Sequence, residues 1–484
     1  MRKLFLPCLS LASVMVIALV SKAIALPSYV FTNLGVPTEF SSHAYAINQI
    51  GQVVGDMSID GSSSHYHAFV YTPGNGSTDI GTLGGYWSKA YGINDMGWIA
   101  GCSNLSSGPE RAFLYTPDTG MADLGTLGGY HSWAYAINNS GQVVGSSYTR
   151  TSWPHNEHAF IYTPGVGMVD LGTLGGADSR ALAVNDVGQV VGWSVTSTYY
   201  RHAFLYTPGI GMMDLGVFPY DDISTATDVN NAGKVVGNSS YGGIQPRAFL
   251  YTTQTGMTDL GTLPDDLFPV PGRASNYASA INDRGQIVGH CMKAISGAGW
   301  AYYYQRAFLI DPDAGMLFLG DLMADPGQRW TPLGPSAIND AGEIVGERRI
   351  YDQPGLGYNT RAFLLTSADS VIPITIDIKP DDSPNCVNPR SQGTLPVAIL
   401  TDTSFDAAGV NPSSVLLAGI APVRWSVQDV DGDGDSDLLF HFSTCDLPLN
   451  GDVAKVVLEL TGETQSGQRF SGMDEVAIVG KVKE

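Results

Sequence analysis

The chain has 484 residues, with 46 acidic against 25 basic side chains and a formal net charge of −21. That length holds more than one domain. Such an acidic surface repels phosphate backbones and anionic lipid, so nucleic acid is a poor partner, and calcium or a neutral glycan suits it better.

In chain order, residues 1–25 read as a secretory signal peptide. Arg2 and Lys3 form a charged start, Leu4 to Val20 is mostly apolar, and Ala23-Ile24-Ala25 is a small-x-small cleavage signal, with cleavage expected after Ala25. The apolar run is too short for a membrane anchor, and Cys8 lacks lipobox-like neighbours. Losing Arg2, Lys3 and Lys22 takes the formal charge from −21 to −24. No second apolar span follows. The expectation is a soluble exported protein, extracellular or periplasmic, with no transmembrane anchor. Its oligomeric state stays open.

"YVFTNLG" at 29–35 reads as a lone strand. Then one phrase recurs seven times, first as "AINQIGQVVG" at 46–55, with anchors Asn48, Asn94, Asn138, Asn185, Asn230, Asn282 and Asn339. Their spacings of 46, 44, 47, 45, 52 and 57, with strand-like content, point to a propeller or related array. Each unit holds four short strand candidates: one ending at "A-I-N", then "GQVVG", then "HAFLYT", then "GMxDLGTL". Runs such as "AFLY" are apolar on both alternating faces, so both should be buried. The expected fold is all-β, a seven-bladed propeller of four-stranded blades over 26–367. The last repeat lacks a fourth strand, and residues 29–35 supply one, which would close the ring and hide an edge. The phrase itself reads as a turn. Asn bonds the backbone two residues on, and the Gly three residues later supplies positive φ.

"HAFLYTPG" with "DLGTLGG" and "AIN..GQVVG" resembles the bacterial extracellular repeat called the HAF family, after His-Ala-Phe, across residues 29 to about 367. The resemblance implies an exported repeat protein and carries no activity with it. His67, His158 and His202 keep the first residue of the motif, and Arg111, Arg247, Arg306 and Arg361 replace it. Both types donate, and the "DLG" aspartates Asp79, Asp123, Asp170, Asp214 and Asp259 are candidate acceptors. Asn33 and Phe318 break that pattern.

The first and third loops of each unit stay short, while the other two vary, and both variable classes fall on the opposite face. Variable loops on a rigid scaffold are where binding sits. They carry Trp87, Trp133, Trp153, Trp300, Tyr302, Tyr303, Trp330 and Tyr351, candidate ligand-binding residues because flat rings with polar edges suit sugars or a partner's apolar anchors. The loop acids Asp221, Asp222, Asp265 and Asp266 could serve a glycosidase only as a flanking pair with split pKa values. The sequence shows no nucleophile elbow, zinc-protease motif, P-loop or haem motif.

Residues 368–373 read as a linker and 374–484 as a β-sandwich. Cys102 and Cys291 read as buried thiols. Cys386 and Cys445 share the C-terminal region and either pair or stay free, alternatives that spacing leaves open. In "DVDGDGDSD", Asp429, Asp431, Asp433, Asp435 and Asp437 alternate as in a calcium loop, with Gly434 at the bend, though Phe440 stands where an EF-hand places its bidentate Glu. The loop resembles those of thrombospondin type 3 repeats and dockerins. By that resemblance four of these aspartates ligate Ca²⁺ through side chains and Asp435 through its carbonyl. The segment also looks like a C-terminal module common on exported bacterial proteins, which implies an accessory role. The preferred reading is a secreted, non-enzymatic binding or scaffold protein for a glycan or protein. The alternatives are an extracellular polysaccharide-degrading enzyme and a structural matrix protein with adhesion through the sandwich.

Overall fold

The computed structural model describes residues 26–479 except 35–40, 61–64, 74, 154, 269–273, 298–299, 324–332, 351–358, 368–370, 381–384, 390, 403–404, 448, 450–454 and 466–468. The signal-peptide reading of 1–25 and half of the 368–373 linker lie outside the described residues. Those residues form strands and a few single-turn 3₁₀ segments, without an α-helix. None of their helices is long and apolar enough to cross a membrane.

Residues 29–367 form seven four-stranded antiparallel sheets. The third repeat is typical: Ser132–Ile137, Val143–Tyr148, Glu157–Thr163 and Gly167–Gly172 pair in chain order. The seventh sheet is completed from the other end of the array. Tyr29–Asn33 pairs antiparallel with Asn359–Ser367, from Tyr29↔Ser367 to Asn33↔Phe363.

Packing explains the repeated letters. The second strand is buried on both faces, as at Val143 and Val144, because each sheet is covered by a neighbour on either side. Seven separate apolar clusters result, one between each successive pair of sheets. The cluster of Leu34, Ala44, Val53, Phe69, Val345, Ala362 and Leu364 joins the seventh sheet to the first. The Phe of each third strand (69, 113, 160, 204, 249, 308, 363) is wholly buried, each contributing about 1.5–3 kcal/mol.

The glycine that ends "VVG" answers to space, not to φ. A Cβ on Gly145 would stand 1.9 Å from the Trp133 carbonyl oxygen and 2.9 Å from the Phe160 ring. The glycine of the Asn turn answers to φ, as expected: 72–85° at Gly51, Gly97, Gly141, Gly188, Gly233, Gly285 and Gly342.

The asparagine does more than start a turn. Its Oδ1 accepts from the backbone N–H four residues on in all seven repeats, at 2.8–3.0 Å. The two-residue bond that the sequence suggests occurs only at Asn94, from Met96. Its Nδ2 donates to the carbonyl of the next repeat's asparagine at 2.9–3.1 Å, and Asn339 donates back to Asn48. The seven bonds make an unbroken circle, buried throughout.

Beyond residue 367 two sheets face each other across one apolar core, which includes Val397, Phe440 and Phe442 from one and Leu458, Leu460 and Phe470 from the other. These sheets begin earlier than the linker reading places them. Val371–Pro373 pairs in parallel with Arg469–Ser471. Cys386 and Cys445 are free thiols, as are the buried Cys102 and Cys291.

Asn185→Ala removes one link of the circle and takes away the acceptor of the Gln189 N–H, while the Asn230 carbonyl keeps its bond from the Gly233 N–H. The expected loss is about 1–3 kcal/mol, read as a lower midpoint in thermal unfolding. An unchanged midpoint would mean that the circle adds nothing to stability.

Candidate functional site

The antiparallel strand order sends the second-to-third and fourth-to-first connections to one side of the array. There the described aromatics divide. Trp87 and Trp133 are half-buried. The Trp133 ring stacks on His131 (5.7 Å) and meets Tyr148 edge-on, and Tyr148 stacks on His155 (5.2 Å). Trp153 caps this row and is 85% exposed. Tyr199 and Tyr220 are 90% and 95% exposed, and both hold left-handed backbones, with φ of 68° and 73°. Left-handed backbone is costly for a bulky residue, and these rings recover nothing by burial. Packing therefore accounts for Trp87 and Trp133 but not for Trp153, Tyr199 and Tyr220. Trp300, Tyr302 and Tyr303 lie on the strand Trp300–Asp311, which pairs with Ile287–Gly297 as a long hairpin, and their side chains are outside the described set. Trp330 and Tyr351 lie outside the described residues.

A second group escaped the sequence reading. The first strands stand side by side around the circle, so their outward-varying positions meet at the centre. Tyr45, Tyr91 and Tyr135 follow one another at 5.0 and 5.6 Å between ring centres. Burial first, then the Asp56 charge, holds the Tyr45 phenol far above its usual range. Two positions before these tyrosines stand His43, Lys89, Trp133 and, in the fourth repeat, Arg180, each reaching an acid of the preceding sheet. His43 Nε2 lies 3.6 Å from Glu347, Lys89 Nζ 3.5 Å from Asp56, and Arg180 2.7 Å from Glu157. Trp133 Nε1 donates to Glu110. Asp56 is fully buried and also meets His43 Nδ1 at 3.1 Å. The sequence signal was available: one position in an otherwise constant phrase changes between His, Lys, Trp and Arg.

The third-strand histidines are spoken for. His67, His158 and His202 meet Asp79, Asp170 and Asp214 at 2.7–2.9 Å, and Arg111 and Arg247 approach Asp123 and Asp259 at 3.6 and 3.7 Å. Arg306 lies over Phe318 instead. Three of the four loop acids are engaged too. Asp221 accepts from Ser239 Oγ and Arg247, Asp222 from the Gly242 N–H, and Asp265 pairs with Lys293 at 2.6 Å. Acids held this way are anchors for their loops.

In the C-terminal region, Asp429, Asp431 and Asp433 are exposed and bring one oxygen each within 4.8 Å of the others. Oxygens sharing one Ca²⁺ at roughly 2.4 Å lie at most about 4.8 Å apart, so this donor set fits the ion. Asp437 is separate. It is buried and accepts from the N–H groups of Thr401 and Val430, pinning the loop's end. Asp435 is exposed beside them.

A protein family described as "Protein of unknown function (DUF3466)" matches residues 72–211 and again 177–328, together more than half of the chain. No curated protein matches it. Among solved structures it is similar to TolB from Acinetobacter baumannii, at 13% identity over 59% of this chain and 65% of that one, with a TM-score of 0.35. It is similar to a mutant puromycin hydrolase complexed with PGG, at 11% identity over 74% and 58%, with a TM-score of 0.43. A gluconolactonase from Xanthomonas campestris shares 10% identity over 71% and 96%, with a TM-score of 0.32. The chain spans less than two thirds of the TolB and puromycin hydrolase chains.

Near the centre, burial lowers the His290 pKa to about 4. Its ring stacks on Tyr277 at 4.9 Å, and Nδ1 finds no hydrogen-bond partner among the described residues. A folded pKa below the unfolded 6.5 means that the unfolded chain takes up a proton first as pH falls. Stability therefore drops between pH 6.5 and 4, by up to roughly 1.4 kcal/mol per unit. Asp228, raised to about 6 by burial, works in the opposite direction below pH 6. The two are separated by difference: His290→Phe should flatten the fall in melting temperature between pH 6.5 and 4. Identical slopes in both proteins would refute the assignment.

Proposed function

The chain belongs to the family described as a protein of unknown function (DUF3466), and from that premise we propose that it is an exported, non-enzymatic binding protein. Its HAF-like repeats build a closed seven-bladed propeller, and the variable-loop face of that propeller holds a glycan. The C-terminal part is a β-sandwich steadied by Ca²⁺ at Asp429, Asp431 and Asp433. The observation that carries the binding role is the trio Trp153, Tyr199 and Tyr220, exposed rings on three different loops, two of them on left-handed backbone. Tyr200 is exposed beside Tyr199 and His155 meets Trp153, but the other neighbours, such as Ser197, Thr198, Asp221 and Asp222, are polar. Small groups of rings in polar surroundings suit sugar stacking, whereas a protein partner calls for a contiguous apolar patch. The engagement of Asp221, Asp222 and Asp265 speaks against the polysaccharide-degrading alternative. The exported destination rests on residues 1–25 alone.

On a glycan array, the mature protein should retain a defined class of glycans without releasing soluble fragments. The double variant Trp153→Ala, Tyr220→Ala should lose at least about ten-fold in affinity, roughly 1.4 kcal/mol, with an unchanged melting temperature. Released oligosaccharides would favour an enzyme. Calcium-dependent self-association without any ligand would favour a matrix protein.

For the C-terminal loop, Ca²⁺ at about 100 times its Kd should stabilise the protein by about 2.7 kcal/mol. Asp431→Asn with Asp433→Asn should abolish that gain. Calorimetry showing no heat for the unaltered chain would remove the ion from the proposal.

A further inference from the structure

Two of the central acid–donor pairs place their acid at the same position, and the next repeat puts a cation there. In repeats two and three the residue just before the His/Arg-Ala-Phe motif is Glu110 and Glu157. Each is met by a donor from the next sheet, Trp133 and Arg180. In repeat four the same position holds Arg201, and the next sheet offers Thr225 where the others offer Trp or Arg. The remaining repeats hold the uncharged Tyr66, Pro246, Gln305 and Thr360 at this position, so Arg201 is its one cation.

Arg201 has no compensation. Among the described residues no carboxylate lies within ion-pairing distance of it. A charge that bears on it is another cation: the Arg180 and Arg201 guanidinium groups lie over the same Trp193 ring, at 5.6 and 5.3 Å. Arg180 is satisfied by Glu157, at 2.7 and 2.9 Å. Loss of water, then the Arg180 charge, lowers the Arg201 pKa. In a chain with 46 acids to 25 bases, an unpaired arginine beside another arginine is out of character. Arg201 also follows directly on Tyr199 and Tyr200, in a tight turn closed by the Thr196 N–H to Tyr200 carbonyl bond, so the free fork and the exposed rings share one loop.

We propose that Arg201, with Trp193 and the Tyr199–Tyr200 turn, binds the anionic group of an acidic saccharide. A guanidinium presents two parallel donors to a carboxylate or sulfate, and the neighbouring rings take the sugar's flat face. The ligand supplies the acid that the repeat leaves out. This inference rests on the glycan-binding reading and narrows it to a charged class.

The test is calorimetric titration of the full mature chain with oligogalacturonate, its neutral methyl ester, a sulfated oligosaccharide and oligoglutamate. Binding to oligogalacturonate or to the sulfated sugar is expected, and which of the two identifies the anion. The methyl ester should bind at least about ten-fold more weakly, and affinity should fall as salt rises. Arg201→Gln should lose about ten-fold or more. Arg201→Glu, which restores the residue type of repeats two and three, should abolish binding while melting no lower than the unaltered protein, since it relieves the repulsion from Arg180. Equal affinity of Arg201→Gln, or equal binding of the methyl ester, would overturn the inference. Equal binding of oligoglutamate would replace the saccharide with an acidic peptide. If neutral glycans bind through Trp153 and Tyr220 and Arg201→Gln has no effect, this inference fails and the glycan reading stands. If no saccharide binds, both fail.

Discussion

The architecture depends on one side-chain amide used at both ends. In each repeat the asparagine Oδ1 fastens its own turn, while Nδ2 fastens that turn to the next sheet. Only Asn does both at this length. Asp has no donor, Ser cannot span the distance twice, and Gln adds a methylene that shifts both contacts. The bonds are buried, so leaving one unmade costs the desolvation of the orphaned group as well as the bond. A second circle lies just outside the first. The backbone N–H of Gln49, Asp95, Asn139, Asp186, Asn231, Asp283 and Asp340 each donates to the side chain of the next, at 2.7–3.0 Å. Two concentric circles fix the first strands, and the remaining strands follow by antiparallel pairing.

A scaffold held at its inner rim can vary elsewhere. The four-residue turns stay constant because both circles pass through them. The connections on the other side are free of that duty, and they carry exposed rings such as Tyr199 and Tyr220. The central positions between the two are partly constrained. They still have to join neighbouring sheets, yet an ion pair, a Trp–Glu bond or a tyrosine contact will each do so. This tolerance lets chemistry differ from repeat to repeat while the fold does not.

Much of this was legible in the sequence. The strand boundaries, the turn glycines and the return of residues 29–33 to the last sheet follow from periodicity and from one missing strand. What stayed hidden required knowing neighbours. Gly145 and its equivalents look like turn residues, but the reason for them is a carbonyl oxygen and a Phe ring, visible only once three strands are paired. The pairs His43–Glu347 and Lys89–Asp56 join residues far apart in sequence: the varying position marks the donor, but nothing local points to its acid. Asp437 reads as one ligand in a run of five, yet burial turns it into an anchor for the backbone. The aromatic list mixed packed and exposed rings, because composition cannot separate Trp133, which bonds Glu110, from Trp153, which meets His155 edge-on and stays exposed.

Electrostatics differs between the two faces. The outer circle on the constant side carries Asp95, Asp186, Asp283 and Asp340. Amides separate most of them: Asn139 Nδ2 bridges Asp95 and Asp186, and Asn231 bridges Asp186 and Asp283. Between Asp283 and Asp340 no amide intervenes, and only a backbone N–H joins them. Four carboxylates gathered at one mouth make a field that an anion will not approach. The net charge of −21 therefore excludes acidic ligands from that mouth more firmly than from the molecule as a whole. On the variable side, cations and acids alternate around the centre, and their fields cancel within a Debye length of about 8–10 Å. Where a local exception such as Arg201 occurs there, it acts at short range against a nearly neutral background. Bulk acidity points to a neutral ligand, but recognition at one loop is decided by the charges within that distance.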